Sequence, residues 1–384
     1  MELAGVGLSD DDCALQQMVR QLVADEIAPR AAEIDRESRF PTEAMAALGE
    51  VGLLGLLVPE DRGGSGGTKL QYVIVVEEIA KACGASALTY MTQAHGTVPI
   101  LIAGDDGQKQ RWLPSLCDGS TIGAIALSEP EAGSDLASLR TRATREGDAY
   151  VLDGQKMFIT SGDIAGAICV FARTGEAGPR GISAFIVDGD SKGLTAGKPL
   201  EKMGMRGSHT VELAFEAVRL AADQRLGDEG TGFATAMRTL DLARLSTAAQ
   251  AIGLAQGALD RALVYAQSRE QFGKPIYDFQ AVQFRIVDMH IRIEQARALL
   301  HRVAKLFDAE PDGRHSRATA IAKVACSDVA MTVTTDAVQT LGGYGYITEY
   351  EVERLMRDAK VTQIYDGTND INRLVIGREL GGGN

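Results

Sequence analysis

Basic charge is scarce in this chain. Its 384 residues carry 39 Lys and Arg against 52 Asp and Glu, a net charge of −13. A surface that neutralises a polyanion needs clustered Lys and Arg, so a nucleic-acid partner is excluded. Paired cysteines are missing too. Cys13, Cys83, Cys117, Cys169 and Cys326 are odd in number, far apart and without a CxxC spacing. That excludes a zinc site or a disulfide frame and points to reduced thiols in a reducing compartment. No apolar run reaches the length of a membrane span. Residues 1–12 hold no basic residue, unlike a targeting peptide. The expectation is a cytoplasmic protein with no membrane partner. The terminal Gly381-Gly382-Gly383-Asn384 reads as a frayed end.

Several catalytic templates are also absent. No GxGxxG follows a strand, so a Rossmann dinucleotide site is not supported. No lysine precedes Ser or Thr, which removes the P-loop, and there is no HExxH. The five histidines, His95, His209, His290, His301 and His315, show no metal spacing, so no metal site is expected. His290 and His301 read as helix-surface or bundle residues. Gly63-Gly64-Ser65-Gly66-Gly67 formally fits G-x-S-x-G, but a nucleophile elbow needs a strand, a strained turn and a helix. Its flanks, Val58-Pro59-Glu60-Asp61-Arg62 and Thr68-Lys69, point to a flexible surface loop instead.

What is present divides by texture. At about 150 residues per domain the length suggests two or three domains, and a chain this long buries a core unaided. Residues 10–36 space Leu15, Met18, Val19, Leu22, Val23 and Ile27 helically. A second helix starts after Pro41-Thr42. Residues 70–102 read as two apolar helices and 108–116 as a short one. From about residue 120 short apolar or alternating runs are broken at Glu146-Gly147-Asp148 and again at Asp153-Gly154, the pattern of an all-β module. Helical spacing returns over 233–268, 277–308, 315–341 and 370–379. Long helices with short connections suggest an antiparallel bundle. The expected fold is α+β and multidomain: an N-terminal helical domain over 1–118, a middle antiparallel β domain over 119–230 and a C-terminal four-helix bundle over 231–384.

Three segments are dense in polar and small residues. Leu127-Ser128-Glu129-Pro130-Glu131-Ala132-Gly133-Ser134-Asp135 is either an ordinary turn or a backbone cradle for a heteroaromatic ring or phosphate. Ser268-Arg269-Glu270-Gln271-Phe272-Gly273-Lys274-Pro275 is either a helix stop or a phosphate or adenine contact through Arg269. Gln363-Ile364-Tyr365-Asp366-Gly367-Thr368-Asn369-Asp370 is a turn into the last helix with Thr368 as its cap, and Asp366 is either a turn residue or a base.

In their order and spacing these segments resemble the acyl-CoA dehydrogenase family. The resemblance also runs through Gly52-Leu53-Leu54-Gly55 with Pro59-Glu60, Gly154-Gln155-Lys156-Met157-Phe158-Ile159-Thr160 and Gly204-Met205-Arg206-Gly207-Ser208. It continues through Leu240-Asp241-Leu242-Ala243-Arg244, Gln339-Thr340-Leu341-Gly342-Gly343-Tyr344-Gly345 and Arg357-Asp358-Ala359-Lys360. It implies the same three-part fold, FAD held between β domain and bundle, a homotetramer built from dimers, and electron-transfer flavoprotein as partner. The implied reaction takes a proton from the α-carbon and a hydride from the β-carbon of an acyl-CoA or an acyl-carrier-protein thioester. Matched to the family's motifs, Ile125, Leu127, Ser128, Gly133 and Ser134 line the flavin, and Phe158 and Thr160 flank it. Arg269, Phe272 and Gln280 reach FAD across a subunit interface. Gln339, Gly342 and Gly343 approach its pyrophosphate, and Thr368 and Asp370 follow the base. Ser134, Asp241, Arg244 and Gly367 match substrate contacts.

One departure stands out. The family's Tyr-Glu-Gly-Thr is Tyr365-Asp366-Gly367-Thr368 here, and the position that carries the glutamate in some relatives is Ala243. Asp366 is therefore the expected base, shorter by one methylene, roughly 1.5 Å of reach. Three readings stay open: a dehydrogenase using Asp366, a flavin oxidase of a small carbon acid, and a nearly inactive flavoprotein binding partner. Gln93 and His95 are expected as a solvent-facing helix pair. If they face the acyl pocket instead, they point to a short, branched or functionalised acyl group. His209 has no expected role.

Overall fold

The computed structural model describes residues 7–381. The frayed-end reading of the glycine tail falls on residues 382–384, outside the described residues. Helix α1 (Asp10–Leu22) opens on a reciprocal cap, with Ser9 Oγ accepting from the Asp12 N–H at 3.1 Å and Asp12 accepting from the Ser9 N–H at 3.0 Å. The stretch expected as one helix to residue 36 is helical but interrupted. Pro29 has no N–H to donate, and the chain passes through a π turn (Val23–Ile27) and a 3-10 turn (Ala28–Arg30) before α2 (Ala31–Glu37). Helices α3 (Thr42–Glu50), α4 (Lys69–Ala82), α5 (Gly84–Ala103) and α6 (Asp106–Asp118) complete the first part. The Gly63–Gly67 loop is exposed but pinned, not loose. Ser65 Oγ donates to Gly52 O at 2.9 Å, and four successive N–H groups from Gly64 to Gly67 bond back to residues 55–59.

The middle strands are β1 (Gly123–Ala126), β2 (Arg142–Glu146), β3 (Ala149–Thr160), β4 (Ala167–Arg173), β5 (Ile182–Asp188), β6 (Leu194–Ala196), β7 (Thr210–Ala221) and β8 (Arg225–Leu226). They form one sheet in the order β6-β7-β3-β2-β4-β5-β8, with β1 on β4. The ladders are antiparallel except along one edge of β4. There β1 runs parallel to it over Ala167–Val170, and β2 meets it in parallel at Arg173. The expected break at Asp153-Gly154 does not end a strand. Gly154 sits at φ +142 with a register shift between Leu152 and Gly154, and β3 continues past it. A Cβ there would lie 2.7 Å from the Thr141 backbone, so only glycine permits the close approach.

After α7 (Gly232–Ser268), a two-stranded hairpin of β9 (Glu270–Gln271) and β10 (Lys274–Pro275) leads into α8 (Gln280–Ala309), α9 (Ser316–Leu341), α10 (Val352–Val361) and α11 (Asn369–Leu380). Helix α10 was not anticipated. Over its ten residues Val352, Leu355, Met356, Ala359 and Val361 are interleaved with five charged residues, a run too short and too charged to stand out. The first and last parts share one apolar cluster. Val73, Val76 and Ile79 of α4 are buried in the same cluster as Leu245, Ile252 and Leu259 of α7. Each fully buried aliphatic side chain contributes roughly 1.5–3 kcal/mol, so this seam fixes α4 and α5 against α7. The sheet has its own interior around Val170, Phe185 and Leu213.

Candidate active site

The turn between α10 and α11 holds two successive left-handed residues, Asp366 at φ +54 and Gly367 at φ +85. Aspartate tolerates that region better than most side chains. Thr368 Oγ1 accepts from the Ile371 N–H at 3.2 Å and caps α11, as expected. Asp366 is half-buried, and its Oδ2 accepts from Thr247 Oγ1 of α7 at 2.6 Å. Among the described residues the Asp366 N–H has no acceptor. Lys323 of α9 is fully buried and donates to Gly367 O at 2.9 Å and to Asn369 Oδ1 at 2.8 Å. Burial pushes its ammonium down to about 8, and the nearby Asp366 charge opposes that shift. Tyr365 donates to Gln250 Oε1 from the other side of the turn.

Buried polar groups surround the carboxylate. Asp241 accepts from Arg244 Nη1 at 2.8 Å and from Ser316 Oγ at 2.9 Å. Burial raises the Asp241 carboxyl above its ordinary range and lowers the Arg244 guanidinium, whose Nε is buried without a partner. Gln93 and His95 do not face solvent: both are buried. Gln93 is spent on structure, donating to Leu116 O (2.7 Å) and Thr121 O (2.9 Å) and accepting from the Gly123 N–H (2.8 Å). His95 Nε2 lies 3.0 Å from Ser246 Oγ, and Asp366 is its nearby charge. His209, without an expected role, pairs through Nδ1 with Asp163 at 2.6 Å, and its ring stands edge-on to Phe40.

A second set gathers at the edge of the β module. Lys156 of β3 is fully buried and donates to Leu127 O and Glu129 Oε1, both at 2.9 Å. Glu129 also accepts from the N–H groups of Arg140 (2.6 Å) and Thr141 (3.0 Å). The 127–135 loop is thus anchored from beneath, and Met157 N–H to Ser128 O (2.9 Å) ties it to the end of β3. Ile125, Ser128 and Thr160 are half-buried, Leu127 is buried, and Gly133 and Ser134 are exposed. Phe158 is held at φ +61 with 63% of its surface exposed.

The third set lies at the far end of the bundle. A cavity of about 470 Å³ is lined by Tyr265, Arg269, Gln339, Gly342, Gly343 and Tyr344, among others. Arg269 stacks on Tyr344 at 5.5 Å. A Cβ built on Gly342 or Gly343 meets nothing within 4 Å, so the backbone there is open to a ligand. Phe272 is 94% exposed and Gln280 is exposed. Asp370 projects into solvent from the first turn of α11, 3.9 Å from Arg373. No hydrogen bond or ion pair among the described residues joins this third set to the loop at the β module. Thr247, Lys323, Tyr72 and the Lys156–Glu129 pair were not singled out from the sequence for this site. The one available signal was a lone lysine inside a small, apolar run, as in Ala322-Lys323-Val324.

An open glycine backbone, an exposed aromatic at a strand end and a carboxylate held between helices define a protein built to hold a cofactor beside an acid–base group. Family comparison makes this specific. The N-terminal, middle and C-terminal domain models of acyl-CoA dehydrogenase match residues 9–120, 124–218 and 230–381. The cyclohex-1-ene-1-carbonyl-CoA dehydrogenase of Syntrophus aciditrophicus is 46% identical over 97% of this chain and 90% of its own. The butyryl-CoA dehydrogenase of Megasphaera elsdenii superposes with TM-score 0.95 at 41% identity, covering 99% of this chain and 100% of that one. A chain from a structure described as the electron transferring flavoprotein of Acidaminococcus fermentans also superposes with TM-score 0.95, at 42% identity and 99% coverage of both chains. The chain belongs to the acyl-CoA dehydrogenase family, whose members depend on FAD.

Proposed function

We propose that this protein dehydrogenates the α,β bond of a short, branched or functionalised acyl thioester, CoA-borne or carried by an acyl carrier protein, with Asp366 as the base. One observation carries the reading. Asp366 is the carboxylate that the bundle cages, steadied on one oxygen by Thr247 and backed by the buried Lys323 cation. The Thr247 bond orients the side chain and leaves Oδ1 to take the proton. The Asp366 N–H, which has no acceptor among the described residues, donates in this reading to the thioester carbonyl, which acidifies the α-carbon.

The residues fit FAD. Gly342 and Gly343 offer open backbone, Arg269 a charge for a phosphate, and Phe158 a face for a ring. When bound, FAD accepts the hydride that leaves the β-carbon. Ile125, Leu127, Ser128, Gly133, Ser134, Phe158 and Thr160 hold the flavin end. Arg269, Phe272, Gln280, Gln339, Gly342 and Gly343 hold the adenine and pyrophosphate end from a second subunit. Thr368 and Asp370 make contacts beyond the base, and Ser134, Asp241, Arg244 and Gly367 contact the thioester. Such sharing agrees with the separation of the two sets within one chain. It also agrees with an apolar stripe on α8, where Phe284, Val287 and Ile291 are 58%, 42% and 47% exposed at helical spacing. A homotetramer, electron-transfer flavoprotein as acceptor, a cytoplasmic site of action and domain limits near residues 118 and 230 belong to the same proposal. No helix of the described residues is long and apolar enough to cross a membrane.

Anaerobic bleaching of the flavin by a panel of acyl-CoAs tests the reading. Bleaching lost in Asp366→Asn supports it. Oxygen consumption with peroxide formation would favour the oxidase reading, and no bleaching by any thioester would favour a binding role.

A further inference from the structure

We propose that Lys323 is a positioning residue for the base: it holds the Gly367 carbonyl and thereby fixes where the Asp366 carboxylate stands. This deepens the function proposed above and rests on Asp366 being the base. Asp366 and Gly367 are successive left-handed residues, a conformation that persists only where surrounding groups over-determine it. Among the described residues, neither their N–H groups nor their carbonyls take a backbone partner, so side chains supply the hold. Gly367 O accepts from Lys323 Nζ at 2.9 Å and from Asn372 Nδ2 at 2.8 Å. The same Nζ donates to Asn369 Oδ1 at 2.8 Å. Asn369 Nδ2 donates in turn to Ser327 Oγ at 2.9 Å and to Asp328 Oδ1 at 2.8 Å. Gln363 Nε2 reaches that Asp328 oxygen at 2.6 Å. Lys323, Ser327 and Asp328 share one face of α9, so a single helix face grips the segment on both sides of the base.

Stability alone does not call for a lysine here. Its two bonds go to neutral oxygens, and each acceptor keeps a second partner without it. Gly367 O keeps Asn372 Nδ2, and Asn369 Oδ1 keeps Ser327 Oγ at 3.2 Å. Burial lowers the ammonium from 10.5 to about 8, so holding it charged at neutral pH costs the folded state stability. Asp366 in the turn and Asp328 on α9 favour the cation, while Arg244 of α7 and Arg373 of α11 oppose it. A buried cation that weakens the fold and bonds the backbone of one turn is the kind of placement that function retains. Methionine would fill the same space with no donor. The Gly367 carbonyl would then be tied to α11 alone, and the turn would no longer be fixed between α9 and α11. Asp366 has a short side chain with few torsions, so it cannot make up for a backbone that shifts beneath it.

The test uses holoenzyme carrying Lys323→Met, Asp366→Asn or both. The probes are butyryl-CoA, isobutyryl-CoA and cyclohex-1-ene-1-carbonyl-CoA, and the one that reduces the wild-type flavin fastest is carried through. Anaerobic stopped flow against probe concentration separates the limiting rate of flavin reduction from the dissociation constant. Lys323→Met should lower the limiting rate at least about tenfold, since a misplacement near 1 Å can cost about a hundredfold. The dissociation constant should stay within about twofold, and the urea midpoint at fixed FAD should be unchanged or higher. In the Asp366→Asn background the same substitution should cost less than about twofold, because it acts through that carboxylate. A lysine needed only for structure would lower the midpoint, and the rate in both backgrounds. An unchanged rate, a loss carried by the dissociation constant, an equal loss in both backgrounds, or a Lys323→Met chain that does not fold overturns the proposal. Asp366→Asn at the wild-type rate, or a wild-type flavin that none of the three probes reduces, overturns instead the function on which the proposal rests.

Discussion

Replacing Lys156 by methionine should destabilise the protein by about 3–5 kcal/mol, the usual cost of removing one member of a buried ion pair. The reasoning starts from burial: Lys156 is fully buried and the Glu129 side chain is 6% exposed, 2.9 Å away. The variant leaves a carboxylate in the interior with only the Arg140 and Thr141 N–H groups as donors. Those two bonds favour the lower end of the range. The pH dependence gives a sharper check. Burial lowers the Lys156 ammonium from 10.5 to about 8, against the opposing pull of Glu129. Between those values the unfolded chain binds more protons than the folded one, so wild-type stability rises with pH there. The slope approaches about 1.4 kcal/mol per pH unit for one group. Lys156→Met lacks that contribution, while Lys323, which is lowered to about the same value, remains in both proteins and cancels. Urea unfolding of both holoenzymes at fixed FAD, from pH 7 to 10.5, measures the difference. The gap between wild type and variant should widen above pH 8. A gap below about 1 kcal/mol, or one flat across that window, would refute the argument.

Other outcomes follow from the same geometry. Asp366→Asn keeps a residue that tolerates the left-handed turn, so it should fold normally while losing at least about a hundredfold in flavin reduction, measured by stopped flow. Asp366→Glu adds reach and should change the rate in the direction that shows whether the pocket is built for the shorter side chain. Gly343→Ala meets no protein atom within 4 Å, so it should leave the thermal midpoint of the apoprotein unchanged but weaken FAD binding several-fold, read by fluorescence titration. Phe284→Asp places a charge in the exposed α8 stripe and should lower the oligomeric state in analytical ultracentrifugation; an unchanged sedimentation coefficient would remove α8 from the interface.

Much of the fold was legible because its signals are local. Helical spacing around Val19 and Ile27, Pro41 before α3, and the Thr368 cap of α11 each act within a turn or two. The misreadings have physical causes of the same kind. Gly154 looked like a strand end, but a glycine also lets β3 pass close to Thr141. Helix α10 escaped notice because its five apolar residues are interleaved with five charged ones over only ten positions, and only Val352, Leu355 and Ala359 of the apolar set are buried. His95 and Gln93 looked like a solvent face because polar side chains usually are, yet here each has buried partners from other elements.

The sequence by itself determined the order of elements, the family and the one carboxylate that departs from the family pattern, because motifs and periodicity are properties of neighbours along the chain. Only the tertiary structure decided what surrounds that carboxylate. Thr247 is 119 residues from Asp366, yet 2.6 Å separates their oxygens, and Lys323, Arg244, His95 and Tyr72 arrive from four different helices. Side chains so far apart in sequence meet only after the α4–α7 seam is buried, so no spacing rule could have shown the donor to Oδ2 or the buried cation beside it.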